Sequence, residues 1–126
     1  MGSPRILLVE DEAPLLHLLE RHLARLGFEV EAHSTGLGAL AALETAPDSY
    51  ALVVADMGLP DLAGDALLSK MFQIRPDLLV LICSGSEFFV SSLPEPIQRR
   101  VGFLQKPFAP KELGQKIEQM LARRGT

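Results

Sequence analysis

Five short apolar runs punctuate the chain: Arg5–Val9, Phe28–Ala32, Ala51–Ala55, Leu78–Cys83 and Val101–Leu104. Three of them lack the in-and-out alternation of a half-exposed strand, as expected of a parallel sheet covered by helices on both faces. Longer segments with helical spacing separate the runs. In Glu12–Leu26, Pro14 fits a first turn, and Leu16, Leu19, Leu23 and Leu26 fall on one stripe predicted to be buried. Gly27 suits the position just past that helix, where a residue without Cβ adopts positive φ cheaply. Thr35–Thr45 predicts a second helix, with Leu40 and Leu43 inward and Pro47 beyond its end. Asp65–Ile74 predicts a third, stopped by Pro76. Pro110–Arg123 predicts the last, opened by proline and closed by Arg123-Arg124, where cations suit the helix dipole.

This alternation predicts an α/β fold, a right-handed doubly wound parallel sheet of five strands with helices on both faces. One common winding order for such a sheet is 2-1-3-4-5. Ser86–Arg100 breaks the rhythm. Neither proline of Pro94-Glu95-Pro96 sits in a helix interior without losing a hydrogen bond and clashing. The expectation there is one helical turn around Glu87–Leu93 and then irregular chain, so a fourth helix that is short or irregular.

Composition then narrows the classes. A chain of 126 residues fits a single domain, expected over the whole length with its core at about residues 4–123. With 48% hydrophobic and 22% charged residues it is not a disordered chain. A net charge of −4 gives no grip on a polyanion, so direct nucleic-acid binding is not expected. The single cysteine, Cys83, excludes an internal disulfide and a multi-cysteine zinc site, and in its apolar run it reads as a small buried hydrophobe. No stretch approaches the ~20 apolar residues that span a bilayer, and Met1–Val9 is too short for a signal peptide. A cytoplasmic domain without direct membrane contact is the expectation.

In an open parallel sheet, ligands bind outside the carboxyl ends of the strands. Strand one ends in Glu10-Asp11-Glu12 and strand three in Asp56; strand four ends in Ser84-Gly85, and Lys106-Pro107 follows strand five. The 2-1-3-4-5 order gathers these carboxylates, the hydroxyl and the ammonium around one crevice. Clustered carboxylates repel unless a cation neutralises them, and Mg²⁺ suits one or two carboxylates, a carbonyl and waters. Lys106 and the Ser84 hydroxyl would then meet further oxygens of a phosphoryl group. The set reads as a phosphoryl-transfer site.

On these residues the chain resembles a receiver domain of two-component response regulators over essentially its whole length. The matching motifs are Glu10-Asp11 after Ile6–Val9, Asp56 in Asp56–Pro60 with Gly64 beyond, Ser84-Gly85, and Gly102–Phe108 with its Lys106-Pro107. The resemblance implies the flavodoxin-like fold. It implies that Asp56 is the phosphoacceptor, attacking a phosphohistidine on a histidine kinase or a histidine phosphotransfer domain. It further implies Mg²⁺ held by Asp11, Asp56 and the Gly58 carbonyl, with Glu10 acting directly or through water. Lys106 pairs with the phosphoryl group, while Ser84 and Phe103 form the switch. Lys106-Pro107 is a candidate cis peptide. A domain of this kind assists its own phosphorylation and dephosphorylation and is not a turnover enzyme on a separate substrate. Gly102–Phe108 is more like receivers attached to hybrid sensor histidine kinases.

Three departures accompany the match: Glu10 for the commoner aspartate, Phe103 without a switch tyrosine's hydroxyl, and the prolines in the region through which such receivers signal or pair as homodimers. Gly58 and Ser86 are small where relatives carry side chains that tune phosphoryl loss, so the acyl-phosphate lifetime is expected to rest on the other site groups and loop dynamics. Leu15 and Leu18, beside the buried stripe, are candidates with the Pro107 loop for docking the partner's helices. Phe88, Phe89 and Val90 are read as core filling. His17 and His22 lie about 140° apart around a helix and do not share a metal, and His33 stands alone. One alternative of another class is a dinucleotide-binding fragment using Gly36, Gly38 and Ala41 at a helix start, with Asp56 about twenty residues beyond Gly36. A phosphatase with an aspartyl-phosphate intermediate is a further rival, but it needs an acid where Gly58 stands.

Overall fold

The computed structural model describes residues 4–86 and 93–124. Its elements are β1 Arg5–Val9, α1 Ala13–Arg25, β2 Glu29–His33, α2 Gly36–Thr45, β3 Leu52–Asp56, α3 Gly64–Ile74, β4 Val80–Ser84, α4 Glu95–Gln98, β5 Val101–Gln105 and α5 Pro110–Arg124. All four strand pairings are parallel, and the order is β2-β1-β3-β4-β5.

Side-chain alternation divides the core between the two faces of the sheet. Leu7, Val9, Val53, Ala55, Val80 and Ile82 face α2 and α3 and pack with Leu40, Leu43, Leu67 and Met71. Ile6, Leu8, Leu52, Val54, Leu81 and Cys83 face the other way and pack with Leu16, Leu19 and Leu23 of α1 and Leu113 and Ile117 of α5. Burial on both faces explains why β1, β3 and β4 read as continuous apolar runs. The edge strands β2 and β5 are more open.

Helix α1 ends as its sequence predicts. Gly27 has φ +98°, its N–H donates to the Ala24 carbonyl, and the Phe28 N–H donates to the Leu23 carbonyl. Leu26 corrects the predicted stripe: it is the capping residue outside the helix, 47% exposed, while Leu16, Leu19 and Leu23 are buried. The prolines also act differently from expectation. Pro94 caps α4 and Pro96 lies in its first turn, where a missing N–H costs nothing, so they start a short helix instead of breaking one. The turn expected around Glu87–Leu93, with Phe88, Phe89 and Val90, falls mostly outside the described residues. Leu93 itself is not helical.

Two polar anchors tie connections to the core. Arg75, 9% exposed, donates to the carbonyls of Pro47 at 3.1 Å and Tyr50 at 2.5 Å and to Asp77 Oδ1 at 3.0 Å, joining the α3–β4 turn to the approach to β3. Glu31 on β2 accepts from Arg5, Tyr50 and the His33 ring, and the Arg5 guanidinium lies 5.2 Å from the Tyr50 ring centre.

Candidate functional site

The sheet ladder continues one residue past its strands and sets the site in a row. Glu10 N–H donates to the His33 carbonyl at 3.1 Å, Met57 N–H to Cys83 at 3.0 Å, and Lys106 N–H to Ser84 at 2.7 Å. Asp56, the last residue of β3, lies in register with Cys83. Glu10, Asp56, Ser84 and Lys106 therefore stand together at the carboxyl edge of four adjacent strands, as the winding order predicts.

Glu10 and Asp56 are buried, at 2% and 6% exposure, whereas Asp11 faces solvent. One oxygen from each of Glu10, Asp11 and Asp56 lies within 4.8 Å of the others, a spacing that can hold a cation. The Lys106 ammonium donates to Glu10 Oε1 at 2.7 Å and stands 3.5 Å from Asp56 Oδ2. Glu10 Oε2 accepts from the Glu12 N–H at 3.1 Å, and Asp56 Oδ1 from the Gly58 N–H at 3.0 Å. Burial pushes the Glu10 carboxyl above its usual range, and Asp56 adds to this; the Lys106 and Glu12 hydrogen bonds only partly offset it. Burial draws Lys106 down, but its bond to Glu10 and the charges of Asp56 and Glu10 outweigh that and hold the ammonium above its usual range.

Three carboxylates form a hard, all-oxygen donor set, and the exposed Asp11 leaves one side open to water. This is the chemistry of a Mg²⁺ site rather than of a soft-metal site. Ser84 Oγ accepts from the Ser86 N–H at 3.1 Å. Phe103, opposite Ile82 on β5, is partly buried against the α2–α3 side of the core with Leu93 and Ile97. The Lys106-Pro107 peptide is cis. A groove of about 460 Å³ beside the site is lined by Glu12, Leu15, Gly85, Lys106, Pro107 and Phe108, and Leu18 on α1 is 52% exposed.

The remaining candidates separate cleanly. Burial pushes the Cys83 thiol up to about 12, in keeping with an inert core residue. The His33 ring pairs with Glu31, and no histidine joins a metal-competent cluster among the described residues. The dinucleotide reading fails at the helix itself. The first N–H groups of α2, which would cradle a pyrophosphate, are taken: Asp61 accepts from Gly36 at 3.0 Å and Leu37 at 2.9 Å, and Thr35 Oγ1 accepts from Gly38 at 3.0 Å. Asp56 points into the acidic cluster instead. The Asp61 carboxyl is held below its usual range by the Leu37 and Gly36 amides. Sequence reading missed this residue, because its partners lie 25 and 24 positions away.

An all-parallel 2-1-3-4-5 sheet thus gathers an acidic pair, a third carboxylate, a hydroxyl and a lysine on its carboxyl edge. Comparison with known families agrees: the chain belongs to the response regulator receiver domain family, whose model matches residues 6–118. It is thus a receiver domain of two-component response regulators, and among such domains the acidic pocket binds Mg²⁺. It is 33% identical to the sensor kinase CckA of Brucella abortus across 95% of its own length and 13% of the kinase. It is 29% identical to the response regulator receiver protein CpdR of the same organism, covering 93% of the chain and 96% of that protein. A match at 32% identity to the transcriptional regulatory protein PrrA of Mycobacterium leprae spans 53% of that regulator. The chain thus spans a small part to about half of several longer relatives. Among solved structures, a CheY-like receiver from Methanospirillum hungatei superposes with TM-score 0.84 at 28% identity, covering 98% of each chain. The receiver domain of the hybrid histidine kinase CckA superposes with TM-score 0.78 at 31% identity, covering 93% of this chain and 98% of that one.

Proposed function

We propose that this chain, as a single receiver domain, accepts a phosphoryl group on Asp56 from the phosphohistidine of a histidine kinase or histidine phosphotransfer domain. The observation that carries the reading is the convergence of Glu10, Asp11 and Asp56 within 4.8 Å, with the Lys106 ammonium against two of them. An Asp56 carboxylate oxygen attacks phosphorus, the P–N bond breaks, and the imidazole leaves with its electron pair, giving an aspartyl phosphate. Glu10, Asp11, Asp56 and the Gly58 carbonyl would hold Mg²⁺, which supplies charge neutralisation at the phosphoryl oxygens. Lys106 is near enough to move from Glu10 to a phosphoryl oxygen. Ser84 donates its hydroxyl to another, and Phe103 turns inward as Ser84 moves.

The groove at Leu15, Pro107 and Phe108, with Leu18 beside it, receives the partner's helices. The domain promotes its own phosphorylation and dephosphorylation and turns over no separate substrate. It works in the cytoplasm without direct contact with nucleic acid or membrane. Titration with beryllofluoride tests this reading. Binding that requires Mg²⁺ and is lost in Asp56→Asn is expected; binding unaffected by that substitution would overturn it.

A further inference from the structure

The segment between β3 and α3 carries Gly58 and has no regular structure of its own, yet it is fastened at several points. Leu59 is buried at 6% exposure. Met57 lies over Gly64, where an added Cβ would meet its Sδ at 2.8 Å. Gly36, the first residue of α2, is bare enough for Leu62 and Leu59 to close on it: a Cβ there would lie 3.2 Å from Leu62 Cβ and 3.4 Å from Leu59 Cδ1. The polar part of this closure is Asp61, whose two oxygens take the Gly36 and Leu37 N–H groups at 3.0 and 2.9 Å. One carboxylate thus ties the segment to the start of another helix across the sheet face.

We propose that Asp61 is a positioning residue for the cation pocket: by clamping the β3–α3 segment to α2 it fixes Gly58 and so sets the affinity of the Glu10–Asp11–Asp56 cluster for Mg²⁺. The inference rests on the reading of that cluster and the Gly58 carbonyl as the Mg²⁺ site. A segment free to move would have to be ordered each time the cation binds, at a cost in affinity; a clamped one is ordered beforehand. Residues that orient ligands in this way shift metal affinity by roughly ten- to a hundredfold when removed.

Thr35 supplies the control. It caps the same helix through Gly38 N–H at 3.0 Å, and this side-chain bond, unlike those of Asp61, stays local to the helix start. Mg²⁺ titrations followed by calorimetry on the wild type, Asp61→Ala, Asp61→Asn and Thr35→Ala, with hydrogen exchange at the Gly58 amide in metal-free protein, test the idea. The expected result is roughly tenfold weaker Mg²⁺ binding and faster Gly58 exchange in Asp61→Ala. Asp61→Asn should fall between it and the wild type, since one amide keeps its acceptor, and Thr35→Ala should bind as the wild type does. Equal affinity in all four proteins would overturn the inference and leave the pocket assignment standing. Equal weakening in Asp61→Ala and Thr35→Ala would reduce Asp61 to a helix cap and overturn it too. A wild type that binds no Mg²⁺ would overturn the pocket assignment and the inference together.

Discussion

Lys106 Nζ lies 2.7 Å from Glu10 Oε1 and 3.5 Å from Asp56 Oδ2, so the lysine is held more closely by Glu10 than by Asp56. The contact joins residues 96 positions apart and places one cation between two buried carboxylates. Its removal takes away the cation paired with both. Lys106→Met is expected to lose on the order of 1–3 kcal/mol of stability without metal, less than a fully buried pair would because the ammonium is partly exposed. Added Mg²⁺ should recover part of the loss, as a ligand that binds only the folded state. Urea denaturation with and without Mg²⁺ measures both effects.

Tyr50 offers a clean titration because it is the only tyrosine in the chain. Burial and the 2.9 Å hydrogen bond to Glu31 push its hydroxyl up to about 12 from an ordinary 10.0. Between those values the folded state keeps a proton that the unfolded state has lost, so stability falls as pH rises through this window and is fully present below it. Phenolate absorbance should show the raised midpoint. In Tyr50→Phe the stability slope between pH 10 and about 12 should flatten.

Arg75 is a structural anchor distant in kind from the site. Replacing it with alanine strips donors from the Pro47 and Tyr50 carbonyls and is expected to cost about 2–4 kcal/mol. Arg75→Lys should recover little, since an ammonium cannot reach the same fork of acceptors. Thermal denaturation of the two variants checks this.

Phosphoryl loss should respond to bulk at Gly58 and Ser86, both exposed at the rim of the site. A Cβ on Gly58 would make only an ordinary contact, 3.7 Å from Asp56 Oδ1, so a longer side chain fits without rebuilding the pocket. Gly58→Gln and Ser86→Arg are expected to change the phospho-Asp56 lifetime several-fold by altering water access. A lifetime indifferent to both would show that water approaches by another route.

The central strands were legible because both their faces are buried, which leaves an unbroken apolar signature, and the row Glu10, Asp56, Ser84, Lys106 followed from strand order alone. Gly27 was legible because positive φ narrows the choice of residue. Leu26 was misread because the stripe continues in sequence one residue after the helix has ended. Pro94 and Pro96 were misread because proline breaks a helix interior but suits its first turn, and the sequence does not say which is meant. Asp61 and Arg75 stayed hidden for another reason. The partners that tie them to distant segments are backbone groups more than twenty positions away, and a backbone amide or carbonyl carries no sequence signal.

The assignment of Asp56 as acceptor is tested most directly by incubating the protein with Mg²⁺ and a small-molecule phosphodonor and locating the modification by mass. The account predicts an addition of ~80 Da on Asp56, since the product is a covalent carboxyl phosphate, absent without Mg²⁺ and absent in Asp56→Asn. Label found on His17, His22 or His33, or retained in Asp56→Asn, would contradict it.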